Sequence, residues 1–299
     1  MILRSALRAG IEQLTGAQVP SATITAEVLL LHVLGRDRAF LHAHPEQELA
    51  GDQEQVYSQL LRERAAGTPT QYLTGHQEFW GLDFHVTPGV FIPRPETEHL
   101  LEAVLELAKP ADTVAASLPR HLRIVDVGTG TGAIAIALAR ELEDSEIFAV
   151  DISTQALDLA RHNARRLGVA ERVYFLESDL LEVFLPEAES SPFDFVVSNP
   201  PYVNPAEASG LPAEVREHEP ATALFAPDEG LGVYRRLIEQ AAVVLRPGGW
   251  LIAELGYNLR ERVLSLLEPK ENRASPWGEQ DVRNDLAGIP RVLLARKRN

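Results

Sequence analysis

The stretch Phe193-Asp194-Phe195-Val196-Val197-Ser198-Asn199-Pro200-Pro201-Tyr202 decides how this chain folds. Its first half is short, β-branched and aromatic, and it stops at an amide and two prolines. That is the pattern of a buried parallel strand whose carboxyl end opens into a loop. In open α/β sheets ligands bind at that edge. Asn199 then sits at the strand tip with its side-chain oxygen free to accept a hydrogen bond. Pro200 has no N–H, and the Pro-Pro pair stiffens the backbone, so the Pro200 carbonyl is a second fixed acceptor. Two acceptors side by side suit an NH2 group. An isolated Asn-Pro is more often plain strand-ending punctuation, so the weight falls on what surrounds it.

From Arg123 onward, apolar runs alternate with helical periodicity, the signature of a parallel sheet with crossover helices. Strands are expected at 124–127, 147–150, 173–176, 193–198, 250–254 and 291–295. Helices are expected over 133–142, after the Ser153 cap, through Tyr234 to Leu245, and over 259–267. A long loop is expected from Tyr202 to Glu229. Upstream, Leu3, Ala6, Leu7, Ile11 and Leu14 recur at helical spacing. Further helices follow over 25–34, ending at Gly35, and from an Asp52 cap to Gly67. Residues 1–70 therefore read as a helical bundle. Residues 71–92 read as a linking β-hairpin with turns at Gly81 and Pro88-Gly89, and 93–299 as the α/β domain. Residues 109–120 have weak periodicity and read as a linker. Arg94 and Glu96, taken alone, read as a solvated charge pair at a helix start. His32, His42 and His44 lack a ligand pattern and are assigned no metal.

Composition narrows the function classes. The chain has 299 residues, 45% of them hydrophobic, enough for about two domains. A formal charge of -15 provides no global field for nucleic acid, so direct DNA binding is not expected. The absence of cysteine excludes disulfides, thiolate catalysis and Cys-ligated zinc. No apolar run has the length of a membrane span, and the amino terminus lacks the order of a signal peptide. A cytoplasmic location without membrane contact is the expectation.

Asp126-Val127-Gly128-Thr129-Gly130-Thr131-Gly132 lies between an expected strand and an expected helix, the context a nucleotide-binding turn requires. Glycines let the chain turn sharply and let a bulky ligand approach without meeting a Cβ. With Ala133 the run also fits the relaxed dinucleotide fingerprint, and Asp151 falls where a ribose-binding acid belongs. The glycine loop alone therefore leaves NAD and S-adenosylmethionine both open. Asp126 suits the ammonium end of a methionine moiety, and Asp179 after the third strand suits an adenine amino group or a helix cap. The fourth strand ends in amide acceptors, not in a hydride-transfer site. Together these favour S-adenosylmethionine.

Asp126 to Gly132, Asp151 and Asn199-Pro200-Pro201-Tyr202 together resemble a class I methyltransferase acting on a planar nitrogen. The segment Ile92-Pro93-Arg94-Pro95-Glu96-Thr97-Glu98 is similar to the signature of bacterial peptide-chain-release-factor glutamine N5-methyltransferases, the PrmC or HemK family. Asn-Pro-Pro-Tyr is shared with adenine-N6 methyltransferases, whereas the sister family acting on ribosomal-protein glutamine differs in the Ile92 to Glu98 segment. The resemblance implies a Rossmann-like sheet preceded by a helical domain and hairpin. It also implies methyl transfer from S-adenosylmethionine to the glutamine of a Gly-Gly-Gln motif in class I release factors. Asp126, Gly128, Thr129, Gly130, Thr131, Gly132, Asp151, Asp179, Leu180 and Asn199 would then line the cofactor site. Asn199 and Pro200 would hold the acceptor amide, Pro201 and Tyr202 would wall its slot, and Phe91 would pack against cofactor or acceptor. One departure is visible: the family often has an aromatic where this chain has Leu180. The alternatives are an adenine-N6 nucleic-acid methyltransferase, a ribosomal-protein glutamine methyltransferase, a non-catalytic binding module and, last, a dehydrogenase.

Overall fold

A computed structural model describes residues 1–109, 121–269 and 274–299. The linker expected over 109–120 lies, apart from Lys109, outside the described residues. The chain forms two compact units, Met1–His76 with Leu211–His218, and Gln77–Gly210 with Glu219–Asn299.

The first unit contains α1 (Leu3–Gly16), α2 (Ala22–Leu34), α3 (Arg38–Ala43), α4 (Gly51–Ala65) and α5 (Thr70–Thr74). Leu3, Leu14, Leu29, Leu30, Tyr57 and Leu61 bury into one core. Close approach is enforced at Gly10, where a Cβ would lie 2.2 Å from the Tyr57 hydroxyl oxygen. That hydroxyl donates to the Ala26 carbonyl at 3.1 Å, tying α4 to α2. The cap of α4 differs from expectation. The helix begins at Gly51, and the Ala50 N–H is satisfied by Gln53 Oε1 at 3.2 Å, so Asp52 lies inside the first turn.

From Gln77 the second unit opens with a hairpin of β1 (His76–Phe79), whose first residue still counts with the helical unit, and β2 (Leu82–His85). Trp80 and Gly81 both have positive φ, the geometry of a two-residue turn matched to strand twist. Trp80 tolerates it because its backbone N–H donates to Glu98 and its indole N–H to Glu141, both at 2.8 Å. After α6 (Glu98–Ala108), the alternation runs β3 (Arg123–Val127), α7 (Ala133–Glu141), β4 (Glu146–Asp151), α8 (Thr154–Arg166), β5 (Val173–Glu177) and β6 (Phe193–Ser198). The region expected as a long loop carries a 3-10 turn at Pro205–Gly210 and two short helices, α9 (Ala213–His218) and α10 (Ala221–Leu224). Then come α11 (Gly232–Val244), β7 (Leu245–Glu254), α12 (Arg260–Leu267), β8 (Trp277–Asn284) and β9 (Pro290–Lys297).

The seven-stranded sheet has the order β5-β4-β3-β6-β7-β9-β8. Strands β5 to β7 are parallel, and β9 and β8 close the edge antiparallel. Core residues of α6, α7 and α8 cover one face, those of α11 and α12 the other. Burial on both faces explains why the central strands are continuous apolar runs. Strand β7 starts earlier than expected because Pro247-Gly248-Gly249 is absorbed in a register shift against β6. Strand β8 was not expected at all: it is an edge strand, and only Trp277 of its eight residues is buried. Without a buried face there is no alternation to find, and its charges blunt the exposed edge.

Candidate functional site

The order of the sheet reverses at β3, whose neighbours are β4 on one side and β6 on the other. Helices α7, after β3, and α11, after β6, pack on opposite faces, the arrangement that in open α/β sheets leaves a ligand crevice beyond the carboxyl ends of the strands. Val127 pairs with Val150 and with Ser198, so the glycine loop, Asp151 and Asn199 share one edge of the sheet. The Ser198 hydroxyl donates to the Val127 carbonyl at 2.8 Å and locks the two central strand tips together.

The glycine loop is built by its own backbone. Gly128 and Thr129 N–H groups both donate to the Val150 carbonyl, at 2.8 and 2.9 Å. Gly128, Gly130 and Gly132 all have positive φ. Their surroundings differ. A Cβ on Gly128 or Gly130 would meet nothing within 4 Å, whereas on Gly132 it would lie 2.8 Å from Ile136 Cδ1 and 3.1 Å from Ala160 Cβ. Gly132 thus serves packing of α7 on α8, and Gly128 and Gly130 face open space. Thr129 and Thr131 are buried. Thr129 donates through its hydroxyl to Asp126 Oδ2 at 2.6 Å, and the Thr131 carbonyl accepts from Asn163 Nδ2 at 3.0 Å. Asn163, fully buried on α8, also exchanges hydrogen bonds with the His85 backbone and so joins the hairpin to this loop. Helical periodicity marked its neighbours Ala160 and Ala164 but carried no signal for Asn163 itself.

Asp126 is fully buried. Its Oδ2 accepts from Thr129 and from the Ala135 N–H, while Oδ1 has no partner among the described residues. Burial pushes its carboxyl up to about 7, against the lowering effect of those two hydrogen bonds. A buried carboxylate oxygen without a donor calls for a cation or a bridging water. Asp151 accepts from Gly130 N–H and Ser153 N–H, each at 2.9 Å, and burial raises its pKa too. An open glycine cradle beside two such acids fits a cofactor carrying an ammonium group and vicinal hydroxyls.

Asp179 is held at the surface by the Arg236 guanidinium, 2.7 Å away, and Arg236 also reaches Glu182. This ion pair was not foreseen. Leu180 next to it has φ of +53°, a conformation rarely adopted by a branched residue. Leu180 packs against the α11 face of the core.

At the tip of β6, Asn199 Nδ2 donates to Thr97 Oγ1 at 3.0 Å. The Thr97 hydroxyl donates to Glu254 Oε2 at 2.6 Å, and the Tyr202 hydroxyl lies 3.5 Å from Glu254 Oε1. No donor among the described residues reaches Asn199 Oδ1 or the Pro200 carbonyl. Pro200 is buried and Pro201 half-buried. The backbone behind Tyr202 is fitted against two glycines: a Cβ on Gly230 would lie 2.4 Å from the Tyr202 carbonyl oxygen, and on Gly256 3.0 Å from its ring. Phe91 is half-buried under the Arg94 guanidinium, 4.7 Å above the ring centre. Arg94 bonds the buried Glu219, whose other oxygen accepts from Ile92 N–H, so the expected solvated pair of Arg94 and Glu96 does not form. Thr97, Glu219 and Glu254 are site residues that sequence reasoning missed. Thr97 was inside a quoted motif, but nothing near Glu219 or Glu254 pointed to buried acids.

Residues 5–75 match the PrmC N-terminal domain and residues 118–277 a methyltransferase domain. A release factor glutamine methyltransferase from Koribacter versatilis is 43% identical over 99% of both chains. One from Moorella thermoacetica is 42% identical over 100% of this chain and 99% of its own. Among solved structures, the METTL16 methyltransferase domain superposes with a TM-score of 0.52 at 19% identity. That match covers 82% of this chain and 95% of the other, a likeness of fold.

Proposed function

The chain belongs to the family of release factor glutamine methyltransferases, and on that premise we propose that it methylates the side-chain N5 of the glutamine in the Gly-Gly-Gln motif of class I release factors. The observation that carries this reading is the pair of unengaged acceptors, Asn199 Oδ1 and the Pro200 carbonyl, beside the open glycine cradle. When bound, S-adenosylmethionine supplies an electrophilic methyl group, whose bond to sulfur breaks as the bond to nitrogen forms, the amide losing one proton to solvent. Asp126 would take the ammonium end of the cofactor, Asp151 the ribose hydroxyls, and Gly128 and Gly130 would let the cofactor lie against the backbone.

An amide nitrogen is a poor nucleophile because its lone pair is shared with the carbonyl. Asn199 and Pro200 would each accept one of its N–H bonds, orient it towards the methyl group and stabilise the protons as they become acidic. No strong base is then needed. Tyr202 and Pro201 would flank the acceptor, and the stacked pair of Phe91 and Arg94 would border it. Asp179, though paired to Arg236, keeps a second oxygen for the adenine amino group. Action on release factors implies work in the cytoplasm. No described helix is long and apolar enough to cross a membrane.

Incubation with labelled S-adenosylmethionine and, in parallel, a release factor, a ribosomal protein or DNA tests the substrate class. Label in the Gly-Gly-Gln peptide of the release factor is expected, and label only in one of the others overturns the reading. At the residue level, Asn199→Ala should bind cofactor normally and lose roughly 10²-fold in rate. Asn199→Asp keeps an acceptor oxygen and should retain part of the activity.

A further inference from the structure

Glu254 and Thr97 are 157 residues apart in sequence, yet they bond each other, and Thr97 in turn meets Asn199. A threonine hydroxyl has one proton and can donate only once. Here Thr97 is placed between a carboxylate and an amide. If its proton goes to Glu254 Oε2, its oxygen is left as an acceptor, and only the NH2 end of Asn199 can face it. The Asn199 oxygen must then point the other way, away from Thr97 and free to accept from a substrate.

We propose that Glu254 is a positioning residue that acts through Thr97 to fix the direction of the Asn199 amide, so that its oxygen and not its NH2 meets the substrate. This inference rests on the acceptor role of Asn199. The geometry gives the relay little freedom. Thr97 is buried, its N–H donates to the Arg94 carbonyl at 3.1 Å, and it ends the 3-10 turn Pro95–Thr97 that leads into α6. Glu254 is 2% exposed at the end of β7, and its backbone carbonyl accepts from the Tyr234 hydroxyl of α11 at 2.5 Å. The Tyr202 hydroxyl faces its second oxygen at 3.5 Å.

The relay has a single direction while Glu254 is ionised, because both carboxylate oxygens can then only accept. A Glu254 protonated on Oε2 can donate to Thr97, which then donates to Asn199 in turn, and the amide flips to present NH2 to an NH2-bearing substrate. Burial raises the Glu254 carboxyl. The Thr97 hydrogen bond, the positive charge of Arg291 on β9 and the Tyr202 hydrogen bond oppose that shift, and Glu96 before α6 adds to it. Arg291 divides its charge with Asp285, which it contacts at 3.0 Å. Tyr202 itself feels Arg94 as well as Arg291. Both tyrosine hydroxyls, Tyr202 and Tyr234, are pushed upward by burial and stay neutral donors.

The test is kcat for labelled methyl transfer to a release factor at saturating cofactor, where Asp126 is held ionised by its ligand and does not contribute to the profile. The wild-type enzyme should lose kcat on the acid side as Glu254 takes up a proton. Glu254→Gln keeps the shape and one acceptor oxygen for Thr97 but cannot titrate, so its profile should lose that acid limb. Thr97→Val should leave cofactor affinity by calorimetry within about twofold and lower kcat by roughly 10²-fold. Thr97→Ser should recover most of it. Melting temperatures separate loss of positioning from loss of fold, and the wild-type and Glu254→Gln profiles decide the matter if Thr97→Val is unstable. Full kcat in a stable Thr97→Val enzyme, or an unchanged acid limb in Glu254→Gln, overturns the relay. Full kcat in Asn199→Ala would instead overturn the acceptor reading beneath it.

Discussion

At the scale of single residues, the site is governed by buried oxygen atoms and by what each is allowed to bond. Asp126 Oδ1 lacks a donor among the described residues, and its carboxyl is pushed up to about 7 by burial. Below that pH the free protein holds it neutral, and on the proposed role of Asp126 the ammonium of the cofactor would then meet no charge. Because the raised value means the proton must be expelled before binding, affinity for S-adenosylmethionine should rise with pH towards 7 and flatten above it, until the cofactor's own α-ammonium loses its proton at about 8. The slope should approach about tenfold per unit on the acid side. Calorimetry between pH 5.5 and 8 checks this, and Asp126→Asn should flatten the curve; a flat wild-type curve would remove Asp126 from the ammonium site. Asp151→Ala removes a charged acceptor and should weaken cofactor binding by about 1.5 to 3 kcal/mol with the fold retained. Unchanged affinity would exclude Asp151.

At the scale of elements, the β3–α7 turn combines glycines with two different duties. Gly132→Ala places a Cβ 2.8 Å from Ile136 Cδ1 at a φ of +83°. Strain and overpacking together should cost about 2 to 4 kcal/mol of stability. Gly130→Ala meets no protein atom within 4 Å, so its cost should be limited to the left-handed backbone, about 1 to 2 kcal/mol. Cofactor affinity should order the two the other way, with Gly130→Ala losing more than its stability change explains. Paired melting and calorimetric measurements decide it, and equal losses of affinity would mean that no ligand lies against Gly130. The same turn shows how support comes from elsewhere in the chain, since Asn163 on α8 holds the Thr131 carbonyl.

At the scale of the whole molecule, the chain runs from the sheet unit into the helical unit and back. After Gly210, the segment Leu211–His218 is part of the helical unit, and the chain rejoins the sheet unit at Glu219. Glu214 bonds Arg64, which is 5% exposed. Glu214→Ala would leave that guanidinium buried and unpaired. The loss should be about 2 kcal/mol, less than for a fully enclosed pair because Glu214 is one-third exposed. Denaturant unfolding measures it, and no change would show that Arg64 finds another partner. The helical unit also presents Ile24 and Val28, one turn apart on α2 and both exposed. We expect Ile24→Asp with Val28→Asp to raise KM for an intact release factor several-fold. A short Gly-Gly-Gln peptide should be methylated as before. Equal effects on both substrates would remove this helix face from partner recognition.

Much was legible in the sequence because it follows local rules. The central parallel strands are apolar on both faces, so β3 to β6 stood out as unbroken runs. Backbone demands at Gly128 to Gly132 and at Pro200-Pro201 are written in residue types that permit little else. The hairpin was legible from its turn, and the family from Ile92 to Glu98. Elements without a buried face were not: β8 has one inward residue, and the short helices after Pro205 are too brief for periodicity to accumulate. The acids Glu219 and Glu254 look like any surface glutamate, because a single letter does not say whether a carboxylate meets water or a protein donor. Sequence singled out Asn199 as the candidate to hold the substrate. Only the tertiary structure, by bringing Thr97 and Glu254 behind it, determined which end of its amide faces outward.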